Sequence, residues 1–253
     1  MHYAVPSSGS GPTAMHKVAI VAALEREVSA LTRNWSRVEK QHEGRTFTFF
    51  EHDGTVAVCG GIGLDAARRA AEAVIALYQP ELIHSVGFAG ALDASLQVGD
   101  IFSPAVVVDA RDASRIQIQS GQGTLITFME VAGAQQKANL AHAYSAQAVD
   151  MEAAAVATAA RAHGIKFGAT KVISDELNFE MPHMARFIDS QGRFSTARFA
   201  VFATLRPWLW PRVATLAANS RKAAKALGEH LRHCLQQPSE SSEAQVHLYK
   251  VRP

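Results

Sequence analysis

The sequence is poor in several things that would each point to a class of protein. It holds only two cysteines, Cys59 and Cys234. One distant pair supplies neither a disulfide framework nor paired metal-ligating thiols, and it fits a reducing, cytoplasmic setting. No stretch reaches the roughly 18–20 consecutive apolar residues of a membrane-spanning helix. The first residues lack the charged-then-apolar order of a secretory signal. Net charge is low as well: 25 Lys and Arg against 23 Asp and Glu leave +2. With the basic residues read as spread along the chain, no nucleic-acid partner is expected. None of the eleven histidines shows metal-ligand spacing, so neither a metal nor another cofactor is expected.

What is present is the balance of a soluble globular protein, 48% apolar and 19% charged over 253 residues, enough for one large α/β domain. Residues 1–14, with their Ser, Gly and Pro, read as a flexible arm. Residues 15–235 read as the folded domain and 236–253 as a flexible polar tail. No internal repeat and no long linker marks a second domain.

Apolar runs alternate with helical patterns along this domain. Val18-Ala19-Ile20-Val21-Ala22-Ala23 reads as a buried strand entering a helix at Glu25-Arg26-Glu27-Val28, with acids in its first turn. Residues 46–51 and 55–59 flank the turn His52-Asp53-Gly54 as a hairpin. The corner Gly60-Gly61-Ile62-Gly63 opens an alanine-rich helix over 64–78. Residues 82–86 form a strand, a second corner is expected at Gly87-Phe88-Ala89-Gly90, and Gly99-Asp100 leads into a strand over 101–108. Residues 147–149 precede an alanine-rich helix over 152–163, and the strand 165–173 closes on Ser174-Asp175. Val213, Leu216, Ala217, Ala224, Leu227 and Leu231 fall at helical spacing. This alternation predicts a single α/β domain with a central mixed, twisted sheet flanked by helices.

Gly61-Ile62-Gly63-Leu64-Asp65-Ala66 matches the G-x-G-x-x-A pattern of dinucleotide sites. That pattern also needs an acid at the end of the next strand, about 20 residues on, to hold the ribose. Glu81 stands before its strand instead. A tight strand-to-helix corner is the better reading of these glycines.

Three acidic positions follow apolar strands: Glu27, the pair Asp150 and Glu152, and Asp175. Ligands of open α/β sheets bind beyond the carboxyl ends of the strands. Carboxylates parked there are costly unless paired or used. Taken singly, each also reads as a helix cap or first-turn charge. Together they predict one pocket.

In this order, Ala22-Ala23-Leu24-Glu25-Arg26-Glu27-Val28, Gly60–Gly63, Gly87-Phe88-Ala89-Gly90 with Val98-Gly99-Asp100, Val149-Asp150-Met151-Glu152-Ala153-Ala154-Ala155 and Ile173-Ser174-Asp175 resemble one family. It is the nucleoside phosphorylase/nucleosidase superfamily that includes methylthioadenosine/S-adenosylhomocysteine nucleosidase, and the likeness spans about residues 17–235. It implies cleavage of the N-glycosidic bond of a purine nucleoside, adenine foremost, by a homodimer. On this resemblance Asp175 is the general acid at purine N7, beside Ser174. Glu152 accepts the ribose hydroxyls, Met151 lies under the sugar, and Glu27 activates water. Phe128 would stack on the base, with a core phenylalanine as the alternative, and Phe88 would face the sugar and water site. A nucleoside-binding protein without turnover is a further alternative.

The phosphorylase branch holds phosphate with arginines and a hydroxyl near the second Gly corner. Here that corner offers Ser85 where an arginine is expected and Phe88 where a serine is expected. A phosphate dianion needs donors and a phenyl ring gives none, so hydrolysis is favoured. Arg26 and Arg68 stay open as phosphate contacts. Residues 179–212 carry Phe187, Phe194, Phe199, Phe202, Trp208 and Trp210 with Met181 and Met184, and His183 adds a lone loop histidine. They read as a hydrophobic lid, a dimer interface, or a groove for an apolar 5′ substituent. The stretches 148–152 and 206–224 also resemble hopanoid-associated members of the superfamily, whose implied substrate is an adenosyl lipid. A membrane contact would follow from such a substrate.

Overall fold

A computed structural model describes residues 17–180, 185–189 and 191–236. The flexible arm and tail expected at 1–14 and 236–253 therefore lie almost wholly outside the described residues, as do Met181, His183 and Met184. The described elements are β1 (Val18–Ala22), α1 (Glu25–Thr32), β2 (Ser36–His42), β3 (Arg45–His52), β4 (Thr55–Cys59) and α2 (Leu64–Tyr78). They continue with β5 (Leu82–Ala91), β6 (Ile101–Phe102), β7 (Val106–Asp109), β8 (Arg115–Gln117), β9 (Thr124–Thr127) and α3 (Ala134–Tyr144). The last are β10 (Ala148–Asp150), α4 (Ala153–Ala162), β11 (Lys166–Asp175), α5 (Thr196–Thr204) and α6 (Trp210–Gln236). The fold is the expected α/β domain with a mixed sheet.

The strands run in the order β2-β3-β4-β1-β5-β10-β9-β7-β8, with β11 on β5 and β6 on β11. β5 is the spine. β11 follows one edge of it in parallel register from Lys166–Leu82 to Asp175–Gly90. The opposite edge is shared: β1 pairs with Leu82 to Ser85, and β10 joins antiparallel only at Gly90 and Ala91. Residues 86–89 of that edge are therefore left open between two departing neighbours, the switch-point geometry at which α/β sheets bind ligands.

β5 runs through the Gly87-Phe88-Ala89-Gly90 corner expected from the sequence; the chain stays extended because β11 holds it along its length. The glycines supply clearance instead of a turn. A Cβ on Gly87 would lie 3.1 Å from Glu27 Oε2, and one on Gly90 would lie 2.8 Å from Asp175 Oδ2. The single strand expected over 101–108 is split, because Pro104 has no N–H to donate and marks the change of partner from β11 to β9. β2, β8, β9, α3 and α5 have no counterpart in the sequence reading.

Alanine allows the helices to lie close. α2 and α4 bury Ala67, Ala70, Ala71 and Ala73 with Ala153, Ala154, Ala155 and Ala159 in one core on one face of the sheet. On the other face α1 and α6 close a second core around Val28, Leu31, Ala223, Leu227 and Leu231. The sequence pattern for α6 included Val213, Leu216 and Ala217, but its buried positions begin only at Ala223.

Gly228 marks where α6 meets α1: a Cβ there would lie 2.5 Å from Ala30 Cβ. Alanine gains about 1 kcal/mol of helix propensity over glycine, while overpacking costs about 1–3 kcal/mol. Gly228→Ala is expected to destabilise the protein in urea unfolding. A stabilised variant would show that the α1–α6 contact yields without strain.

Candidate active site

The open edge of β5 forms the floor of a cleft enclosing about 840 Å³, counting its mouth. Its lining includes Arg26, Glu27, Phe88, Lys137, Asp150, Met151, Glu152, Ser174 and Asp175. Four carboxyl groups thus arrive from three strand ends. β1 delivers Glu27 through the first turn of α1, β10 delivers Asp150 and Glu152, and β11 ends on Asp175.

Glu27 is buried and turns back over its own helix start. Its carboxylate accepts N–H groups of Ala23 at 3.0 Å, Leu24 at 2.9 Å and Phe88 at 3.3 Å. Burial pushes its carboxyl above the ordinary range, against the opposing pull of the Leu24 N–H, Lys171 and the Phe88 N–H. Glu152 accepts the Gly63 N–H at 2.8 Å and the Met151 N–H at 3.2 Å. Burial, then the negative charge of Asp150, push it up to about 8. The corner glycines thus serve a carboxylate, not a pyrophosphate.

Asp150 is the acid that stays paired. It accepts the Thr127 hydroxyl at 2.7 Å and the Ala153 N–H at 2.9 Å, capping α4, and meets Lys171 Nζ at 2.9 Å. The Lys171 side chain is 1% exposed and also donates to Ser85 Oγ at 3.0 Å. Burial alone would lower its pKa, but Asp150, Glu152 and Glu27 outweigh that and the net shift is upward. Ser85 is therefore committed beneath the cleft.

Asp175 is held from two sides. Ser174 donates its hydroxyl to Oδ1 at 2.7 Å, and Lys137 donates to Oδ2 from the first turns of α3. Lys137 is itself buried and reaches the Glu176 carbonyl at 2.6 Å. Both Asp175 oxygens thus accept hydrogen bonds from within the protein, and its carboxyl stands between the Lys137 ammonium and the cleft.

The sequence profile of the phosphorylase superfamily matches residues 17–115 and 101–205. The chain belongs to the phosphorylase superfamily. Over 88 residues it is 39% identical to a 5′-methylthioadenosine/S-adenosylhomocysteine nucleosidase of Colwellia psychrerythraea, covering 34% of this chain and 36% of that one. The matched stretch thus spans about a third of this curated relative. Among solved structures, futalosine hydrolase of Helicobacter pylori superposes with TM-score 0.63 at 16% identity, covering 87% of this chain and 98% of that one. The Helicobacter pylori 5′-methylthioadenosine/S-adenosylhomocysteine nucleosidase, solved with an inhibitor, gives TM-score 0.63 at 16% identity over 87% and 99%. At that identity the likeness establishes the superfamily fold.

Of the sequence-derived candidates, Glu27, Phe88, Met151, Glu152, Ser174 and Asp175 all line the cleft. Phe128 does not. It is partly buried and packs against the core around Leu92, Val108, Ile126 and Leu140. Arg26 lines the cleft with its guanidinium 5.7 Å from the Phe88 ring centre, whereas Arg68 lies exposed on α2, away from the lining. Both lysines escaped the sequence reading. Lys171 had a signal, a lone charge inside the run Phe167-Gly168-Ala169-Thr170-Lys171-Val172-Ile173; Lys137 had none without α3.

Removing Lys171 breaks the buried ion pair and leaves Asp150 without its cation, so Lys171→Met is expected to cost about 3–5 kcal/mol in urea unfolding. A loss under about 1 kcal/mol would mean water reaches Asp150. Glu152 gives a pH signature. Unfolded it titrates near 4.5, folded near 8, so its stabilising contribution is complete below the lower value and lost as pH rises through the upper one. Glu152→Gln should therefore gain in melting temperature relative to the parent as pH rises from about 5 to about 9. A constant difference across that window would contradict a raised Glu152.

Proposed function

We propose that the cleft hydrolyses the N-glycosidic bond of a purine nucleoside, with adenine as the base. The observation that carries this reading is the meeting of Glu27, Glu152 and the Lys137-backed Asp175 in one cleft at the switch point of the sheet. The C1′–N9 bond breaks with its electron pair moving into the purine, and Asp175 passes a proton to N7. Lys137 is the group behind it that resupplies that proton. Glu152 takes the ribose hydroxyls, Met151 packs under the sugar, and Glu27 takes the proton of the water that attacks C1′. General acid assistance of this kind contributes about 10²–10⁴-fold.

Water is favoured over phosphate by the way Glu27 is bound. The N–H groups of Ala23, Leu24 and Phe88, which could hold an anion, are already given to its carboxylate. That carboxylate also repels a dianion. Arg26 is the one guanidinium among the described lining residues. For the 5′ end, Ile188, Phe194 and Leu216 supply an apolar wall, which suits an apolar 5′ substituent. In the same segment, Phe187 meets Phe194 and Phe199 edge to face and Phe194 lies tilted against Phe199, a small aromatic cluster of their own. We also propose a cytoplasmic homodimer, on the family resemblance; a stable monomer in sedimentation at micromolar concentration would remove the dimer.

The reading is tested by comparing leaving groups. Asp175→Asn should lower purine nucleoside turnover by about 10²–10⁴-fold and spare a nitrophenyl riboside, whose leaving group needs no proton. Lys137→Met should show the same selectivity, while Glu152→Gln should slow both substrates. Equal losses on both substrates for Asp175→Asn would overturn the acid assignment. Strict dependence on added phosphate would overturn hydrolysis, and tight binding without base release would favour the non-catalytic alternative.

A further inference from the structure

The whole-chain charge of +2 conceals a marked asymmetry. Residues 186–236 carry nine Lys and Arg against two Asp and Glu, a local net charge of +7, and no acid occurs from 190 to 228. The basic residues are thus clustered, contrary to the even spread expected from the sequence. The same segment holds four of the five large exposed apolar side chains of the described residues: Trp208 at 71%, Leu205 at 69%, Val201 at 63% and Trp210 at 54%, with Met129 the fifth. Neither feature has a use in the cleft chemistry.

Their arrangement is ordered. α5 turns Phe199 and Ala203 inward while Val201 faces outward, with Leu205 one turn on at its cap. The connection to α6 is pinned: Trp210 Nε1 donates to the Ala203 carbonyl at 3.0 Å, and the Arg206 guanidinium lies 3.9 Å over the Phe202 ring. Trp208 is exposed on this pinned turn, and the exposed cations Arg198 and Arg212 stand before and after it in the sequence, on α5 and α6. Along α6, Leu216 of the cleft wall follows Trp210 by six residues, about 9 Å at 1.5 Å per residue. The patch thus begins within two turns of α6 from a residue that lines the cleft.

We propose that this face, the outer side of α5 with the first turns of α6, docks on an anionic lipid bilayer and brings the cleft mouth to the membrane surface. Exposed tryptophans and aliphatic side chains flanked by arginines match the chemistry of the headgroup boundary: apolar groups enter the acyl edge and cations meet the anionic headgroups. A second copy of this chain is a poorer occupant. A two-fold interface would set the patch against itself and bring two acid-free sets of cations together. The inference stands on charge and exposure and does not depend on the substrate of the cleft.

The test uses the full chain with phosphatidylcholine vesicles, with and without phosphatidylglycerol. Flotation should recover the protein with phosphatidylglycerol vesicles and leave it unbound with phosphatidylcholine alone. Binding should weaken with salt, and tryptophan emission should shift to the blue, since two of the three tryptophans lie in the patch. Leu205→Ser with Trp208→Ser, and separately Arg198→Glu with Arg212→Glu, should each reduce partitioning by about tenfold or more. Both should keep their melting temperature and their base release from a water-soluble nucleoside. The charge-reversal pair, wholly on the surface, keeps the test open should the apolar pair fail to fold. Absence of binding to anionic vesicles overturns the proposal, as does binding that survives loss of Leu205 and Trp208. A dimer that the apolar pair converts to monomer also overturns it, and assigns the face to a second copy.

Discussion

A single ammonium group makes the rest of the cleft possible. Lys171 Nζ sits in the middle of β11, sealed from water, with Asp150 against it and Glu27 and Glu152 within its field. Three buried carboxyl groups so close together would repel one another and resist ionising. With Lys171 among them, Asp150 stays paired, and the other two keep raised pKa values and face the cavity. An ion pair of this kind contributes little to net stability compared with apolar packing, and breaking it is costly. Its value here is positional, because it ties β10 to β11 at the level of the cleft floor.

The two buried lysines act on different acids by the same physics. Lys171 lies under the floor beside Asp150, Glu152 and Glu27, while Lys137 stands at the other end of the cleft behind Asp175. Between them runs β5, whose glycines at 87 and 90 leave room for Glu27 and Asp175. Side-chain charge, strand register and the missing Cβ atoms are therefore one arrangement. Any shift of β11 along β5 would move Asp175 and Lys171 together.

Much of this was legible in the sequence because strand ends announce themselves: an apolar run followed by an acid marks the carboxyl edge of the sheet. Glu27, Glu152 and Asp175 were picked out that way, while the helix 64–78 was read from its glycine corner and its alanines. Glycine gave the wrong message at 87–90, since a turn and a close approach leave the same residue behind. Pro104 could have warned that the strand over 101–108 breaks. α3 stayed hidden because its buried positions are only Lys137 and Leu140, too few to print a helical period. Phe128 shows what residue type leaves open: an aromatic in the expected region packs partly against the core and is not among the cleft lining. The exposed tryptophans were visible as composition, but only the structure separates them from the phenylalanines packed beneath.

The gap on the edge of β5 has a mechanical meaning as well. β1 leaves at Ser85 and β10 arrives at Gly90, so the sheet is unstitched over four residues, bridged there by the Glu27 carboxylate on the Phe88 N–H. Whatever lies in the cleft takes the place of a missing strand. Occupancy then works as a splint across the two halves of the sheet. The empty protein should breathe along that seam, and amide exchange there should slow when the seam is filled.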